Sequence, residues 1–132
     1  MPLVLAVDDE SSILRIIAMQ LESEGFEVQT ASTGEAAIEA LTTIDPDIVV
    51  LDVVMPGMTG LEVLAWIRNE KKLRRLIVIV FTSSKHDDDV NKAYDLGANS
   101  YLVKPVGFDM LVEVARMIQQ YWIERNERPH SG

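Results

Sequence analysis

Acidic, hydroxyl and basic side chains follow several of the short apolar runs in this chain. Asp8 and Asp9 follow the first run, and Asp52 follows the third. Thr82 ends the fourth run, and Lys104 comes directly after the fifth. If these runs are strands of an open parallel sheet, their carboxyl ends form the edge where such sheets bind ligands. We therefore expect three carboxylates, a hydroxyl and an ammonium group to meet at one edge.

The three carboxylates of this edge repel one another unless a cation lies among them. Oxygen ligands without Cys or His suit Mg²⁺, and Mg²⁺ together with Lys104 brings their total charge to about zero. Two cations of this kind are also what a phosphoryl group needs when it transfers to an oxygen nucleophile. Because a carboxylate can act as a covalent nucleophile, we expect one carboxylate to accept a phosphoryl group while the metal ion and Lys104 hold its oxygens.

Each of these signals also has an ordinary structural interpretation. An Asp pair after a strand is more often a helix cap or a turn, and a Lys-Pro pair usually lies in a loop. A Thr at the end of a strand usually bonds to nearby backbone. Their joint placement at one sheet edge is what indicates a functional site.

The elements that must position these residues alternate between strand and helix patterns. Three of the apolar runs are nearly continuous, which is typical of strands covered by helices on both faces of a parallel sheet. Between the runs, apolar residues recur at helical spacing. This order predicts one doubly wound α/β domain with five βα units. The predicted strands are Leu3–Asp8, Phe26–Ala31, Ile48–Asp52, Leu76–Thr82 and Asn99–Val103.

Short-range signals predict where several helices begin and end. Two S/T-x-x-E patterns predict capping boxes, and two glycines are placed where C-terminal caps are needed. Asp87–Asp89 is interpreted as a carboxylate cluster at a helix N-terminus, and the basic residues between positions 68 and 75 as a solvated face. The residues of these patterns are Ser32 with Glu35, Thr59 with Glu62, Gly25, Gly97, and the basic residues Arg68, Lys71, Lys72, Arg74 and Arg75.

Length and composition exclude several classes of protein. The chain has 132 residues, of which 21 are acidic and 12 basic, so its formal net charge is −9. This charge argues against a general nucleic-acid binder. No apolar run has the length of a membrane span or the flanks of a signal sequence, and the absence of cysteine excludes disulfides and thiolate sites. We therefore expect a cytoplasmic protein without a membrane or nucleic-acid partner.

Four segments together resemble the signature of the receiver domains of two-component response regulators. They are Val7-Asp8-Asp9, Leu51 to Gly60, Phe81-Thr82-Ser83 and Tyr101 to Pro105. The resemblance implies a flavodoxin- and CheY-like fold with strand order 2-1-3-4-5. It predicts a receiver domain over residues 3–124 and a short polar tail over 125–132, with no output domain, and hence a single-domain response regulator.

The resemblance assigns a role to each residue of the sheet edge. Asp52 would accept the phosphoryl group from a phosphohistidine of a sensor histidine kinase, and would also bind Mg²⁺. Asp9 would be a direct ligand of Mg²⁺, and Asp8 would act mainly through metal-bound water. The metal ion would also take the backbone carbonyl of Val54, and Lys104 would pair with the phosphoryl oxygens. The protein would thus catalyse its own phosphorylation without being an enzyme that acts on another substrate.

A conformational switch is also implied. The hydroxyl of Thr82 would move to bond the phosphoryl group, and Tyr101 would then rotate inward. The alternative for Tyr101 is an ordinary half-buried aromatic residue that covers the sheet edge. A cis peptide bond is expected before Pro105. Val54 and Ser84 flank the path of the hydrolytic water in this fold, and their side chains predict slow autodephosphorylation.

The C-terminal part resembles a narrower group, the stand-alone regulators paired with bacterial phytochrome-type kinases. This resemblance rests on Ala93 to Tyr101 and on Gln120 to Trp122. It implies a homodimer through helix 4, strand 5 and helix 5, although Tyr121 and Trp122 equally suit ordinary packing. The downstream protein target stays open.

Two other functions are compatible with the same topology. An aspartyl-nucleophile phosphatase of the haloacid-dehalogenase type would need a D-x-D motif after the first strand, where this chain has Asp8, Asp9 and Glu10. A flavin-binding, flavodoxin-like protein would need a phosphate loop rich in hydroxyl groups and glycine at the same position. Three acids in a row would repel a phosphate, so the signalling function is favoured.

Overall fold

Five strands alternate with five helices in the described ranges, which confirms the predicted order. The computed structural model describes residues 2–83, 86–104 and 108–126, and it describes their side chains except at 108–111 and 123–126. The strands are β1 (Leu3–Val7), β2 (Glu27–Ala31), β3 (Ile48–Leu51), β4 (Ile77–Thr82) and β5 (Ser100–Val103). The helices are α1 (Ser11–Ser23), α2 (Gly34–Leu41), α3 (Gly60–Asn69), α4 (Asp87–Asp95) and α5 (Phe108–Asn126). Each strand begins and ends within one residue of its predicted limits.

The strands form one sheet in the order β2-β1-β3-β4-β5. All four neighbouring pairs are parallel. This arrangement confirms the doubly wound α/β class and the strand order 2-1-3-4-5. The order of the strands reverses between β1 and β3, and doubly wound folds bind ligands in the crevice at such a point, outside the carboxyl ends of the strands.

Two hydrophobic layers cover the two faces of the sheet. Leu5 and Val49 belong to the layer that contains buried residues of α2 and α3. Val4 and Ile48, their immediate neighbours in sequence, belong to the layer of α1 and α5. Because successive residues of a strand point to opposite faces, a central strand must be apolar at nearly every position to fill both layers. This is the physical reason for the continuous apolar runs of the sequence.

The predicted capping box of the second helix is wrong. The helix begins at Gly34, and the residue before it, Thr33, is the N-cap, whose hydroxyl accepts a hydrogen bond from the Ala36 N–H at 3.0 Å. Ser32 lies one residue too early to cap the helix, so its spacing to Glu35 carries no capping box. Ser32 and Thr33 are both good N-cap residues, and the position of the first helical turn decides which of them caps the helix.

The remaining end signals are found as predicted. Thr59 and Glu62 form a reciprocal capping box at the start of α3, with hydrogen bonds of 3.2 and 2.9 Å. Gly25 and Gly97 follow α1 and α4 with φ angles of 95° and 99°, in the left-handed region that favours glycine after a helix. Asp87–Asp89 occupies the first turn of α4.

The basic cluster divides into two parts. Lys71, Lys72, Arg74 and Arg75 are exposed, as expected of a solvated face. Arg68 is half-buried and differs from this expectation, because its side chain turns toward backbone carbonyls instead of toward solvent. None of the helices in the described part of the chain has the length and apolar character of a membrane span.

Candidate functional site

The carboxylates predicted from the sequence meet at the carboxyl ends of β1 and β3. Asp8 and Asp9 follow β1, and Asp52 follows the neighbouring strand β3. One carboxylate oxygen of each residue lies within 4.8 Å of such an oxygen of the other two. Asp8 and Asp52 are each only 3% exposed, whereas Asp9 is exposed. The buried pair therefore depends on neighbouring groups instead of water to stabilise its charge.

Lys104 supplies positive charge to this carboxylate cluster. Its Nζ lies 2.7 Å from Oδ2 of Asp8 and 3.3 Å from Oδ2 of Asp52. A third contact joins Nζ to Oε1 of Glu10 at 3.1 Å. The Lys104 side chain is 7% exposed, so the ammonium group is buried together with its partners. Its backbone N–H donates to the Thr82 carbonyl at 2.7 Å, which holds the residue after β5 against the end of β4.

Burial changes the pKa of both members of the Asp8–Lys104 pair. Loss of hydration raises the pKa of Asp8 to about 6, and the charge of Asp52 adds to the rise, while hydrogen bonds from Lys104 and from the Glu10 backbone limit it. Loss of hydration lowers the pKa of Lys104, but the hydrogen bond to Asp8 and the charges of Asp52 and Asp8 outweigh this effect and raise it overall. The ammonium group therefore stays protonated, whereas burial disfavours the charged form of the Asp8 carboxyl group.

Backbone N–H groups of the following turns orient the two buried carboxylates. The Glu10 N–H donates to Oδ1 of Asp8 at 2.9 Å, and the Val54 N–H donates to Oδ1 of Asp52 at 3.3 Å. These are the side-chain-to-backbone bonds by which Asp residues stabilise turns. In each residue Oδ1 is held by its own turn, whereas Oδ2 faces Lys104. Both carboxylates thus point to the same ammonium group.

The backbone of Asp52 packs directly against the first residue of α3. A Cβ on Gly60 would overlap the carbonyl oxygen of Asp52. The Gly60 N–H donates to the carbonyl of Val53 at 3.0 Å, which fixes this close approach. Only glycine leaves room for α3 to begin here. Gly57 turns the loop before α3 with a φ of 76°.

The residues assigned to a switch lie on two neighbouring strands. Thr82 is the last residue of β4 and is fully buried. Tyr101 lies in β5, is half-buried and packs against the α2–α3 layer, a placement that suits both of the alternatives given for it. The Val54 side chain is 59% exposed beside the site. Ser84, and Pro105 with its predicted cis peptide bond, lie outside the described residues.

The donor set at this edge fits a hard divalent cation. Asp8, Asp9 and Asp52 offer three carboxylate groups at short mutual distance, and Lys104 offsets one of their negative charges. Burial, the largest cause, raises the pKa of Asp8, and the hydrogen bonds from Lys104 and from the Glu10 backbone do not cancel this effect. Mg²⁺ prefers oxygen ligands and keeps several of its bound waters. The exposed carboxylate of Asp9 leaves one side of the cluster open to these waters.

Two residues that shape the site were not assigned a role from the sequence. Glu10 is the third carboxylate partner of Lys104, and the run of three acids after the first strand was the signal for it. Gly60 sets the approach of α3 to Asp52. Its place directly after the capping Thr59 marks it as the first helical residue, but the sequence gives no sign of the nearby carbonyl.

The comparison with protein families decides which kind of protein this is. The family described as "Response regulator receiver domain" matches residues 4–116. The chain belongs to this family. The match confirms the receiver-domain interpretation and favours a response regulator over the phosphatase and the flavin-binding protein.

Curated relatives agree with the family match. The chain is 33% identical to the probable methanogenesis regulatory protein FilR2 of Methanothrix harundinacea, over 96% of this chain and 87% of that protein. It is 40% identical to the transcriptional regulatory protein KdpE of Mycobacterium tuberculosis, over 83% of this chain and 47% of the relative. The chain therefore spans about half the length of KdpE.

Solved receiver structures share the fold closely. The Mn²⁺-bound response regulator Rcp1 superposes with a TM-score of 0.85 at 29% identity, covering 94% of this chain and 96% of that one. The phosphorylated cyanobacterial phytochrome response regulator RcpA gives the same TM-score and identity, covering 92% and 94%. TrrA of Thermotoga maritima, in complex with Mg²⁺ and BeF, has a TM-score of 0.75 at 35% identity, covering 89% and 99%.

Proposed function

We propose that Asp52 of this receiver domain accepts a phosphoryl group from a phosphohistidine of a sensor histidine kinase. The observation that carries this proposal is the position of Lys104 Nζ between Oδ2 of Asp8 and Oδ2 of Asp52, at 2.7 and 3.3 Å. A buried ammonium group beside a carboxylate is a fixed positive charge at the point where phosphoryl oxygens would lie. Electrostatic stabilisation of this kind is the main contribution that proteins make to phosphoryl transfer.

The transfer replaces one bond to phosphorus by another. A carboxylate oxygen of Asp52 forms the new P–O bond while the P–N bond to the imidazole breaks, and the imidazole recovers a proton from solvent. The Val54 N–H and Lys104 hold the two oxygens of Asp52 in place before the reaction. After the transfer, Lys104 pairs with the phosphoryl oxygens because they carry the added negative charge.

Mg²⁺ would neutralise charge on the phosphoryl oxygens when it is bound. We assign its ligands to the carboxylates of Asp9 and Asp52 and to the backbone carbonyl of Val54, with Asp8 acting mainly through metal-bound water. The 4.8 Å cluster of carboxylate oxygens supports this assignment. So do the metal ions named in the structures of Rcp1 and TrrA.

Phosphorylation would be read out through Thr82 and Tyr101. The phosphoryl group replaces one negative charge by about two, and the hydroxyl of Thr82 is the switch group that bonds it. Tyr101, two strand positions before Val103 on the edge strand β5, then turns inward. The cis peptide bond before Pro105 stays a prediction, since Pro105 lies outside the described residues. We further expect slow autodephosphorylation, since Val54 offers no group that positions a water.

The partners are proposed from the same resemblance. A phytochrome-type histidine kinase is the proposed donor, which the similarity to RcpA supports. A homodimer through α4, β5 and α5 is supported by the exposed side chains of Tyr94 and Val103 on this face, 49% and 39% exposed. The proposed receiver unit covers residues 3–124, and the proposed location is the cytoplasm.

Phosphorylation with a small acyl-phosphate donor tests the proposal. The protein is incubated with acetyl phosphate and Mg²⁺, and the modified fraction is followed by intact-protein mass spectrometry. We expect one phosphoryl group per chain, its loss in Asp52→Asn or in EDTA, and unchanged labelling in Asp95→Asn, whose carboxylate is exposed on α4. Labelling that persists in Asp52→Asn would overturn the assignment. Repeated turnover of phosphate esters would favour the phosphatase.

A further inference from the structure

The guanidinium group of Arg68 joins two separate loops. Arg68 lies in the last turn of α3, at the end of the sheet opposite to the carboxylates. Its Nε and Nη2 both donate to the carbonyl of Gly97, at 3.0 and 2.6 Å. Its Nη1 donates to the carbonyls of Arg74 and Leu76, at 3.0 and 2.6 Å. One side chain therefore ties α3, the α3–β4 loop and the α4–β5 turn together.

Asn99 extends this connection into the sheet. Its Oδ1 accepts hydrogen bonds from Nη2 of Arg68 at 3.0 Å and from the Val78 N–H at 2.8 Å. The Asn99 N–H in turn donates to the Val78 carbonyl at 2.9 Å. Asn99 is thus bonded to β4 through both backbone and side chain, one residue before β5 begins. The position of Arg68 is therefore linked to the first residues of β5.

The contacts of Arg68 depend on the shape of the guanidinium group. No carboxylate of the described residues forms an ion pair with it, and its partners are carbonyl oxygens. Burial lowers the pKa of Arg68, but a guanidinium group remains protonated in proteins. Its N–H donors form a rigid fork that reaches several acceptors in fixed directions. The single ammonium group of a lysine has no such fork.

Gly97 and Arg68 fit each other closely. Gly97 has a φ of 99°, and a Cβ at this position would lie 2.9 Å from Nε of Arg68. The turn after α4 therefore needs glycine for two reasons, its backbone conformation and the space that the guanidinium group occupies. Both features hold the carbonyl of Gly97 in line with the Arg68 donors.

Side-chain packing holds α4 only weakly. Ala93 is its buried residue, and Tyr94 is 49% exposed. The first turn consists of the acidic residues Asp87–Asp89. The two ends of this helix therefore differ in how they are held. Its C-terminal end leads into the Gly97 turn that Arg68 holds, whereas its N-terminal end follows the segment after β4.

We propose that Arg68 is a positioning residue that fixes the C-terminal end of α4, so that α4 pivots about Gly97 when Thr82 moves. This inference rests on the proposed function, since it takes phosphorylation of Asp52 as the cause of the movement. The fixed turn directs the displacement to the N-terminal half of α4 and leaves the start of β5 in place. Without the fork of Arg68, the helix and the turn would move together.

Amide hydrogen exchange, followed residue by residue by NMR, tests the pivot. The compared proteins are the wild type, Arg68→Met, Arg68→Lys and the control Arg75→Met, whose side chain is exposed on the α3–β4 loop. Each is measured alone and with beryllium fluoride and Mg²⁺, which mimic the phosphoryl group. In the protein alone, the loss of one or more hydrogen bonds in Arg68→Met speeds exchange at Ala98 and Asn99 by about tenfold. Arg75→Met exchanges like the wild type.

Beryllium fluoride tests the direction of the movement. In the wild type it changes exchange across the N-terminal half of α4, around Val90, and leaves Ala98 and Asn99 unchanged. In Arg68→Met the changes extend to Ala98 and Asn99, and Arg68→Lys behaves like Arg68→Met because charge alone does not hold both loops.

Three results would overturn the inference. The first is that Ala98 and Asn99 exchange at the same rate in Arg68→Met as in the wild type. The second is that Arg68→Lys exchanges like the wild type. The third is that beryllium fluoride changes exchange in the wild type as much at Asn99 as at Val90. Failure of the proposed function is a separate observation. In that case beryllium fluoride changes nothing in the wild type, so the pivot is refuted, while exchange in the protein alone still decides whether Arg68 fixes the turn.

Discussion

Replacement of Asp8 by Asn should stabilise the fold in the absence of a divalent cation. Asp8 is buried, and its pKa rises from the ordinary value of 3.8 to about 6 because of lost hydration and the charge of Asp52. The folded state therefore binds the Asp8 proton more tightly than the unfolded state does. The stabilisation by this proton is complete below pH 3.8 and is lost as the pH rises through about 6. Above that pH the charged carboxylate destabilises the fold.

The size of this effect follows from the shift in pKa. A rise from 3.8 to about 6 corresponds to about 3 kcal/mol at neutral pH. Asn carries no charge, and its amide oxygen can still accept the hydrogen bond that the Glu10 N–H donates to Oδ1 of Asp8. We therefore expect Asp8→Asn to raise the free energy of unfolding by about 3 kcal/mol at neutral pH and by much less near pH 4.

Urea unfolding, followed by the fluorescence of Trp66 and Trp122, measures this difference. The wild type, Asp8→Asn and the control Asp95→Asn are compared in EDTA at a series of pH values. The control should differ from the wild type by less than about 0.5 kcal/mol at every pH, as is usual for an exposed residue. An Asp8→Asn variant that is less stable than the wild type at neutral pH would refute the reasoning. It would mean that the 2.7 Å ion pair with Lys104 outweighs the cost of burial.

Further predictions concern the metal ion, the ammonium group and the start of α3. Mg²⁺ at about 100 times its dissociation constant should raise the free energy of unfolding of the wild type by about 2.7 kcal/mol in urea titrations; Asp9→Asn should lose most of this gain, and an equal gain in that variant would contradict the ligand assignment. Lys104→Met should slow labelling by acetyl phosphate at least about tenfold in mass-spectrometric time courses, because it removes a charge that stabilises the transition state; an unchanged rate would exclude this role. Gly60→Ala should lower the free energy of unfolding by about 1–3 kcal/mol, since its Cβ overlaps the Asp52 carbonyl, and wild-type urea stability would show that α3 shifts freely. Thr59→Ala should cost about 1–2 kcal/mol in the same assay through loss of the capping box, and a change below about 0.3 kcal/mol would contradict the contribution of the cap.

The sheet could be predicted from the sequence because burial on both faces determines which type of residue each strand position needs. A strand that is covered on both faces must be apolar at successive positions, and Val4, Leu5, Ile48 and Val49 meet this requirement. Parallel strands bring their carboxyl ends to one edge. The meeting of carboxylates from two strands therefore followed from topology without knowledge of any distance.

The contacts of single side chains were not predictable in the same way. The sequence could not distinguish Ser32 from Thr33 as the cap of α2, because both residues are good N-caps and the first helical residue decides between them. Arg68 was interpreted as part of a solvated face, since a basic residue among other basic residues gives no sign of the carbonyls around it. Such contacts depend on the crossing of loops that are distant along the chain.

The strength of the electrostatic coupling also needed the structure. Asp8 and Lys104 were expected at the same edge, but the raised pKa of Asp8 depends on the depth of burial and on the distance between Nζ and Oδ2. Glu10 joined the cluster because its side chain reaches the same ammonium group.

The central claim is that Asp52 itself carries the phosphoryl group. Borohydride reduction converts an aspartyl phosphate to homoserine, so reduction after treatment with acetyl phosphate and Mg²⁺, followed by peptide mass spectrometry, identifies the modified residue. We predict homoserine at position 52 alone, and unmodified Asp8, Asp9 and Asp95. Homoserine at Asp8 or Asp9, with Asp52 unmodified, would contradict the account.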